Sequence, residues 1–335
     1  MVKFPARRKR RQKTKILPDL NHKLAATKKY FVANKFILIG LGVILGLLLI
    51  AEIYQNLRFS IWDGYSQLNL AVEQGNKISY IKINKQLEEV VVLTFADNVM
   101  IDLAQGYQNY PAGKVKALAS QEKIHLGKLL AQSQTQFLGS VTDGYIVGSS
   151  KQDLGIGGLA WQALTKRAKT NLSNWDLIRL MIMTNNTGNE KIKTIDLTQT
   201  SAFSLVTLPD ENQVYMANWG ELDKLVLKQL ARPEFLDQNL RWEIYNGTTH
   251  SGLGAKIKRI IANSGFDVVG VRQAQEDYER SMIIINNDEV DDKQIKKLAR
   301  VFNFPIKKEN NTGQSAADVT LIIGEDFWQD YFISN

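Results

Sequence analysis

The chain has 335 residues, 44% of them hydrophobic and 23% charged, with a formal net charge of +8 and no cysteine. That length suffices for two domains of ordinary size, and the missing cysteine excludes a disulfide framework and a thiolate metal site. The charge is uneven: residues 1–35 hold twelve Lys or Arg against the single Asp19, a net of +11, while residues 36–335 hold 30 basic and 33 acidic side chains, which argues against a nucleic-acid-binding body.

The basic arm, residues 1–35, runs into Phe36–Ala51 (FILIGLGVILGLLLIA), sixteen residues without a charge. A basic flank before an apolar run predicts a membrane anchor, residues 36–54, with the arm in the cytoplasm. Phe36, Leu41, Leu45, Leu49 and Ala51 are its candidate anchor residues. Sixteen residues fall slightly short of a hydrocarbon core of roughly 30 Å at about 1.5 Å per residue. The helix can lengthen back through Tyr30–Val32, with Lys35 snorkelling, and forward through Ile53 and Tyr54. Gly42 and Gly46 form a GxxxG, which in a membrane helix reads first as ordinary glycine usage. A cleaved signal peptide is disfavoured by the long arm and by the lack of a small-x-small site after Ile50. The run ARRKRRQKTK has neither interleaved aromatics nor a fold of its own, so it reads as topology control with attraction to anionic lipid. On this reading everything after about Glu52 lies outside the cytoplasm.

Beyond the anchor, residues 56–87 mix apolar and polar side chains, suggesting a helical stalk before the alternation of Ile78–Ile83. Glu88–Thr94 reads as a buried strand, with Val99–Leu103 as its hairpin partner. A helix is expected over Gln121–Phe137, a strand over Gly144–Val147, and helices over Leu159–Lys169 and Trp175–Met183, the second capped by Ser173 or Asn174. Strands follow at Ile192–Leu197, Ala202–Val206 and Gln213–Met216, then a helix at Trp219–Ala231. Arg232-Pro233 ends that helix and marks a domain boundary. Next come a strand at Arg241–Tyr245, a turn at Asn246-Gly247-Thr248 and a helix at Leu253–Asn263 closed by Gly265. Strands at Phe266–Val271 and Met282–Ile285, a helix at Asp291–Phe302 and a strand at Val319–Ile323 complete the chain. The class is mixed α/β (α+β): two extracytoplasmic domains, the second a small two-layer sandwich.

Chemical signals are sparse. GTTHSG, Gly247–Gly252, has the glycine spacing of a phosphate loop, but Leu253 stands where the lysine is required, so it is not a nucleotide site. It reads as a tight turn whose backbone N–H groups, around Asn246, Gly247 and Thr248, can hold an anion or a sugar hydroxyl. The glycines of Gly155–Gly158 read as a loop. His22, His125 and His250 are far apart, and neither Ser133 nor Ser140 completes a hydrolase triad with His125. Asp288, Glu289, Asp291 and Asp292 lack EF-hand spacing and read as a solvated turn capping the helix from Asp291. No metal site is expected. Trp219 and Trp328 could stack on sugars, although core packing is the commoner fate.

Residues 241–326 resemble the C-terminal domain of LytR–CpsA–Psr family proteins. The match is carried by WEIYNGTTHSGLGAKIKRIIANSGFDVV, YERSMIIIN, KQIKKLARVF and ADVTLIIGED. More weakly, residues 78–230 resemble the family's catalytic domain. VVVLTFADNVMIDL stands for its strand ending in Ile-Pro-Arg-Asp, KVKALAS for its Lys-Ile-Asn-Ala segment, and FLGSVTDGYIVGSS for the strand before its lipid pocket. The resemblance thus divides the body into residues 57–232, a degenerate LytR–CpsA–Psr-like domain, and residues 240–327, a LytR C-terminal-like domain. Active relatives are phosphotransferases that move a glycopolymer from a polyprenyl-pyrophosphate carrier to peptidoglycan with arginines, acidic residues and Mg2+. Guanidinium forks grip phosphoryl oxygens and carboxylates hold the metal.

This chain departs from that pattern. The Arg-Asp pair is replaced by Asp97-Asn98, which puts a repulsive carboxylate where a cation should meet pyrophosphate. The arginine-rich stretch before the later helix has no counterpart; Lys166, Arg167 and Lys169 supply the charge there. The first expectation is therefore a non-catalytic envelope binding or assembly module without cofactor. Its partners would be membrane lipid and a cell-wall glycan or lipid-linked glycopolymer, not nucleic acid. The alternative is an active ligase with Mg2+, using Arg179, Lys116 and Asp176, with Lys114 and Arg167 as further ligand contacts. A third reading is a regulator acting through the basic arm.

Overall fold

The computed structural model describes residues 41–44, 46–47, 51, 60–149, 154–236, 240–287, 293–309 and 317–333. Met1–Arg58 and Phe59–Asn335 form two separate units. In the first, the described residues are helical, and Leu41, Val43, Ile44 and Leu47 are exposed. Ala51 is helical too, whereas the arm and the anchor candidates Phe36, Leu45 and Leu49 lie outside the described residues. Among the described residues no helix is long and apolar enough to cross a membrane.

The second unit begins with strands β1 (Leu68–Gln74), β2 (Lys77–Asn84), β3 (Glu89–Thr94), β4 (Met100–Leu103) and β5 (Gln108–Pro111). Helices α1 (Val115–Gln121) and α2 (Leu126–Leu138) follow, then β6 (Gly144–Val147), α3 (Gly155–Leu164), β7 (Lys169–Thr170) and α4 (Asn174–Asn186). After β8 (Ile192–Asp196) come the hairpin β9 (Phe203–Thr207) and β10 (Gln213–Ala217), α5 (Trp219–Leu230) and the short α6 (Pro233–Leu236). One mixed sheet has the order β7-β6-β1-β2-β3-β8. Period-2 alternation sorts its side chains onto two faces. Ala71, Tyr80, Val91 and Leu93 pack with residues of α1, α2 and α5. Leu70, Val72, Ile81, Ile83 and Val90 pack with residues of α3 and α4. The first domain is thus three layers, helix–sheet–helix.

Several sequence expectations are corrected here. Residues 68–74 are β1, not a helical stalk, because LNLAVEQ pairs antiparallel across Gly75-Asn76 with β2, the strand that holds the alternating Ile78–Ile83. Met100–Leu103 pairs with β5, not with β3, whose neighbours are β2 and β8. The chain leaves β3 because Asn98 and Val99 are drawn to β10, where Val99 bridges Tyr215. The helix expected over Gln121–Phe137 is broken at Glu122–His125, where Lys123 takes a positive φ of 58° and His125 caps a new helix. Gly155–Gly158 opens α3 instead of forming a loop, and Lys169 belongs to a strand, where its backbone pairs with Val147. Ser173 does cap α4, in a reciprocal capping box with Asp176.

The C-terminal domain contains β11 (Arg241–Asn246), α7 (Leu253–Asn263), β12 (Asp267–Gln273), β13 (Met282–Ile285), α8 (Lys293–Phe302), β14 (Ile306–Lys308), β15 (Val319–Ile323) and α9 (Glu325–Phe332). Its sheet has the order β12-β11-β15-β13-β14. Trp242, Ile244, Ile283, Ile285, Leu321 and Ile323 join Ile257, Ile261, Ile295, Leu298 and Phe327 of all three helices in one core. That is the expected two-layer sandwich, extended by β14 and α9. The carboxylates Asp288, Glu289, Asp291 and Asp292 lie outside the described residues.

Arg232, where the sequence marks a boundary, is fully buried. Its guanidinium meets Asp143 at 2.6 Å and the Gln67 and Val141 carbonyls, while its backbone N–H donates to Ser264 of the C-terminal domain. Arg259 of α7 donates to the carbonyls of Gln136 and Phe137 at the C-terminal end of α2, where a cation suits the helix dipole. Polar contacts of this kind weld the two domains.

Candidate functional site

The broken helix makes the site. Because Lys123 and His125 end one helix and start another, the N-terminus of α2 opens beside β6 and the edge strand β7. His125 Nδ1 accepts the Lys128 amide at 3.2 Å, which leaves the Leu126 and Gly127 amides without intrahelical acceptors. The first turn carries no acidic residue. The Tyr145 ring lies so close that a Cβ on Gly127 would stand 2.2 Å from it. Only glycine admits this approach.

Around that helix start lies a cleft of about 500 Å³ lined by Lys116, Lys123, Arg167 and Lys169, with His125, Gly148 and Ser149. Among the described residues no carboxylate lines it. Glu73 stands behind it: buried, it holds Lys116 at 2.9 Å and accepts the Asn76 amide. Four cationic side chains and a helix N-terminus in one concavity are suited to a phosphate or carboxylate group.

A second cavity, of about 580 Å³, lies against the other sheet face under α3 and α4. Val72, Ile81, Val90, Val92, Ile156 and Leu159 line it, with Lys77 as its cation. The apolar space and the basic cleft therefore flank β1 from opposite sides.

The other sequence candidates are elsewhere. Lys114 is exposed outside the lining of the cleft. Asp176 is buried and accepts hydrogen bonds from Ser60 Oγ (2.5 Å), the Ile61 and Trp62 amides (both 3.2 Å), and Ser173 N and Oγ. Arg179 donates to the Trp62 carbonyl and Ser60 Oγ, and lies over the Trp175 ring at 5.5 Å. Both residues fasten the start of the unit to α4. In the C-terminal domain, Asn246 Oδ1 accepts from Thr248 N and Oγ1, and the Gly247 amide donates to Ile323. Those donors of the turn are spent internally. His250 bonds Glu325 at 3.0 Å and stacks on Trp328 at 3.9 Å, while Trp219 packs edge-on to Phe137 beneath Arg259.

The structure thus brings Lys116 and Arg167 together and leaves Lys114, Asp176 and Arg179 apart from them. The sequence reading missed Lys123 and the helix start at Leu126, because KALASQEK reads as an ordinary solvated face. Magnesium is usually held by one or two carboxylates beside a phosphate; among the described residues the lining offers none, and no group of three or more His, Asp or Glu side chains could hold a metal.

Residues 239–327 match the family described as LytR cell envelope-related transcriptional attenuator. The C-terminal domain is LytR-like. No curated protein matches the chain. Among solved structures it is similar to TagT of B. subtilis, at 11% identity and a TM-score of 0.36 over 49% of this chain and 89% of that one. TagT bound to LIIa-WTA matches at 10% identity and 0.35, over 48% of this chain and 89% of that one. The transcriptional regulator yvhJ from Bacillus subtilis matches at 10% and 0.35, over 48% and 94%. Likenesses this low transfer no residue and no activity, so the reading of the cleft rests on its own geometry beside the LytR-like domain.

Proposed function

We propose that this chain is a membrane-anchored cell-envelope protein whose first extracytoplasmic domain binds a phosphate-bearing glycan, in free or lipid-linked form, without transferring it. The observation that carries the reading is the cleft at the α2 N-terminus, where Lys116, Lys123, Arg167 and Lys169 converge and, among the described residues, no carboxylate lines the wall. Such a lining attracts phosphate, and among the described residues it offers no carboxylate to hold a metal beside it. The LytR-like domain, fixed through Arg232 and Arg259, braces the sheet from behind α2. The apolar run Phe36–Ala51 with its basic flank supports the anchor, with the N-terminus inside and both domains outside.

The test offers the full chain in detergent a polyprenyl-pyrophosphate glycan with magnesium. The expected result is binding that weakens with salt and with Arg167→Ala or Lys169→Ala, and no turnover. Turnover that disappears on replacing Lys116 or Arg179 would overturn the non-catalytic reading.

One observation favours the second reading, a glycopolymer–peptidoglycan phosphotransferase. Lys116 and Arg167, far apart in sequence, do share a cleft, as a pyrophosphate clamp requires. The same assay separates the two readings by its product.

A further inference from the structure

The compact unit is tied down at its very start. Ser60, Ile61 and Trp62 are held by Asp176 and Arg179 at the N-terminal end of α4. Ala51, the end of the apolar run, precedes Ser60 by nine residues, which span at most about 30 Å when fully extended. A bilayer that holds the run therefore lies within that reach of the α4 N-terminus.

The surface at this place has the composition of a membrane interface. Tyr65 is 66% exposed, Ile182 58% and Trp175 42%. Trp175 and Ile182 stand seven residues apart, on one face of α4, with Arg179 between them against the Trp175 ring. Lys85 lies over the Tyr65 ring at 4.7 Å. Tyr65, Lys85, Arg179 and Ile182 rim one shallow cavity of about 310 Å³. Of its acidic neighbours, Glu88 pairs with Lys191, and Asp63 is engaged by hydrogen bonds from the Tyr65 and Ser66 amides. Amphipathic aromatics, an exposed aliphatic side chain and cations that can snorkel are the residues that partition to headgroups of an anionic leaflet.

We propose that the surface formed by Tyr65, Lys85, Trp175, Arg179 and Ile182 rests on the headgroups of the membrane that the apolar run enters. This rests on the anchor reading above and deepens it: the first domain is held against the lipid surface, not suspended from it on a free tether. A lipid-linked ligand would then meet a domain already oriented at the leaflet.

The chain has no cysteine, so single Tyr65→Cys, Ile182→Cys and Val269→Cys variants of the full chain can each carry one fluorophore. All three replace exposed side chains, Val269 being on β12 of the LytR-like domain. They are placed in vesicles of phosphatidylethanolamine and phosphatidylglycerol doped with a headgroup-nitroxide lipid. Loss of emission at positions 65 and 182, with none at 269, is the expected result. Retention of the protein on alkaline extraction together with equal emission at all three positions would overturn the surface and leave the anchor standing. Release of the protein on alkaline extraction would overturn the anchor, and the surface with it.

Discussion

Arg232 and Asp143 form an ion pair at 2.6 Å in which neither side chain is more than 2% exposed. The pair sits where the two domains meet, and its parts come from residues 89 apart in sequence. Asp143 also accepts the Asn69 amide of β1 at 2.7 Å, so the pair ties the domain junction to the central sheet. Deleting one member strands the other charge away from water. Arg232→Met should lower the unfolding free energy by about 3–5 kcal/mol, and Arg232→Met with Asp143→Asn should recover part of it. Urea titration of the three proteins measures this. Equal stability of the single and double variants would show that lost packing, not a stranded charge, sets the cost.

Lys297 of α8 reaches across the same junction to the Gln67 carbonyl at 2.5 Å and to Ser66 Oγ. Burial, with Arg232 beside it, brings its ammonium down to about 8 from 10.5, against the opposing pull of Asp143, Glu234 and Asp63. Between those two values the unfolded chain keeps a proton that the folded chain has released. Stability contributed by this group therefore rises as pH climbs from about 8 towards 10.5. Lys297→Met should flatten that rise. Denaturation midpoints across this pH range check the slope, and an unchanged slope in the variant would assign it to other groups.

Asp176 gathers the Ser60 hydroxyl and two backbone amides onto α4. Asp176→Asn places a donor among donors and should cost about 1–3 kcal/mol. Hydrogen exchange at the Ile61 and Trp62 amides should accelerate, while binding in the basic cleft stays as it was. Loss of glycan binding with unchanged exchange would instead assign Asp176 to the ligand.

Gly127 lets the Tyr145 ring cover the first turn of α2. Gly127→Ala must push that ring aside and should destabilise the protein by about 1–3 kcal/mol. It should also disturb the cleft beyond the stability effect, read as weaker phosphate-glycan binding at a temperature where the variant is fully folded.

Arg167 and Lys169 are exposed, so their removal should act on binding and not on folding. Replacing both with Ala should weaken binding of a phosphate-bearing glycan by about tenfold or more at low salt. The difference should shrink as salt screens the cleft. An affinity independent of both charge and salt would place the ligand in another cavity.

How much of this was legible in advance depended on the range of the interactions. In the C-terminal domain, period-2 strands and the apolar stripe Ile295, Leu298 and Phe302 are local patterns, and the sandwich followed from them. β14 and α9 escaped because IKK is too short for a period and EDFWQDYF spreads its aromatics around the helix; α9 packs through Phe327 and Tyr331. In the first domain β1 was mistaken for stalk because both of its faces are covered. Leu68, Asn69, Leu70 and Ala71 are all buried, so the alternation of one wet and one dry side is muted.

By itself the sequence determined where charge and apolarity lie along the chain: the basic arm, the apolar run, the near-neutral body, and the residue types that make strands and helices. These follow from composition and from contacts within a few residues. Only the tertiary structure decided which charges meet. Lys116 and Arg167 share a cleft, and Asp176 and Arg179 fasten Ser60–Trp62, because pairing of β1 with β6 and packing of α4 on the sheet bring distant segments together. Nothing in the spacing of those residues encodes that approach; it is set by strand register and helix packing over the whole domain.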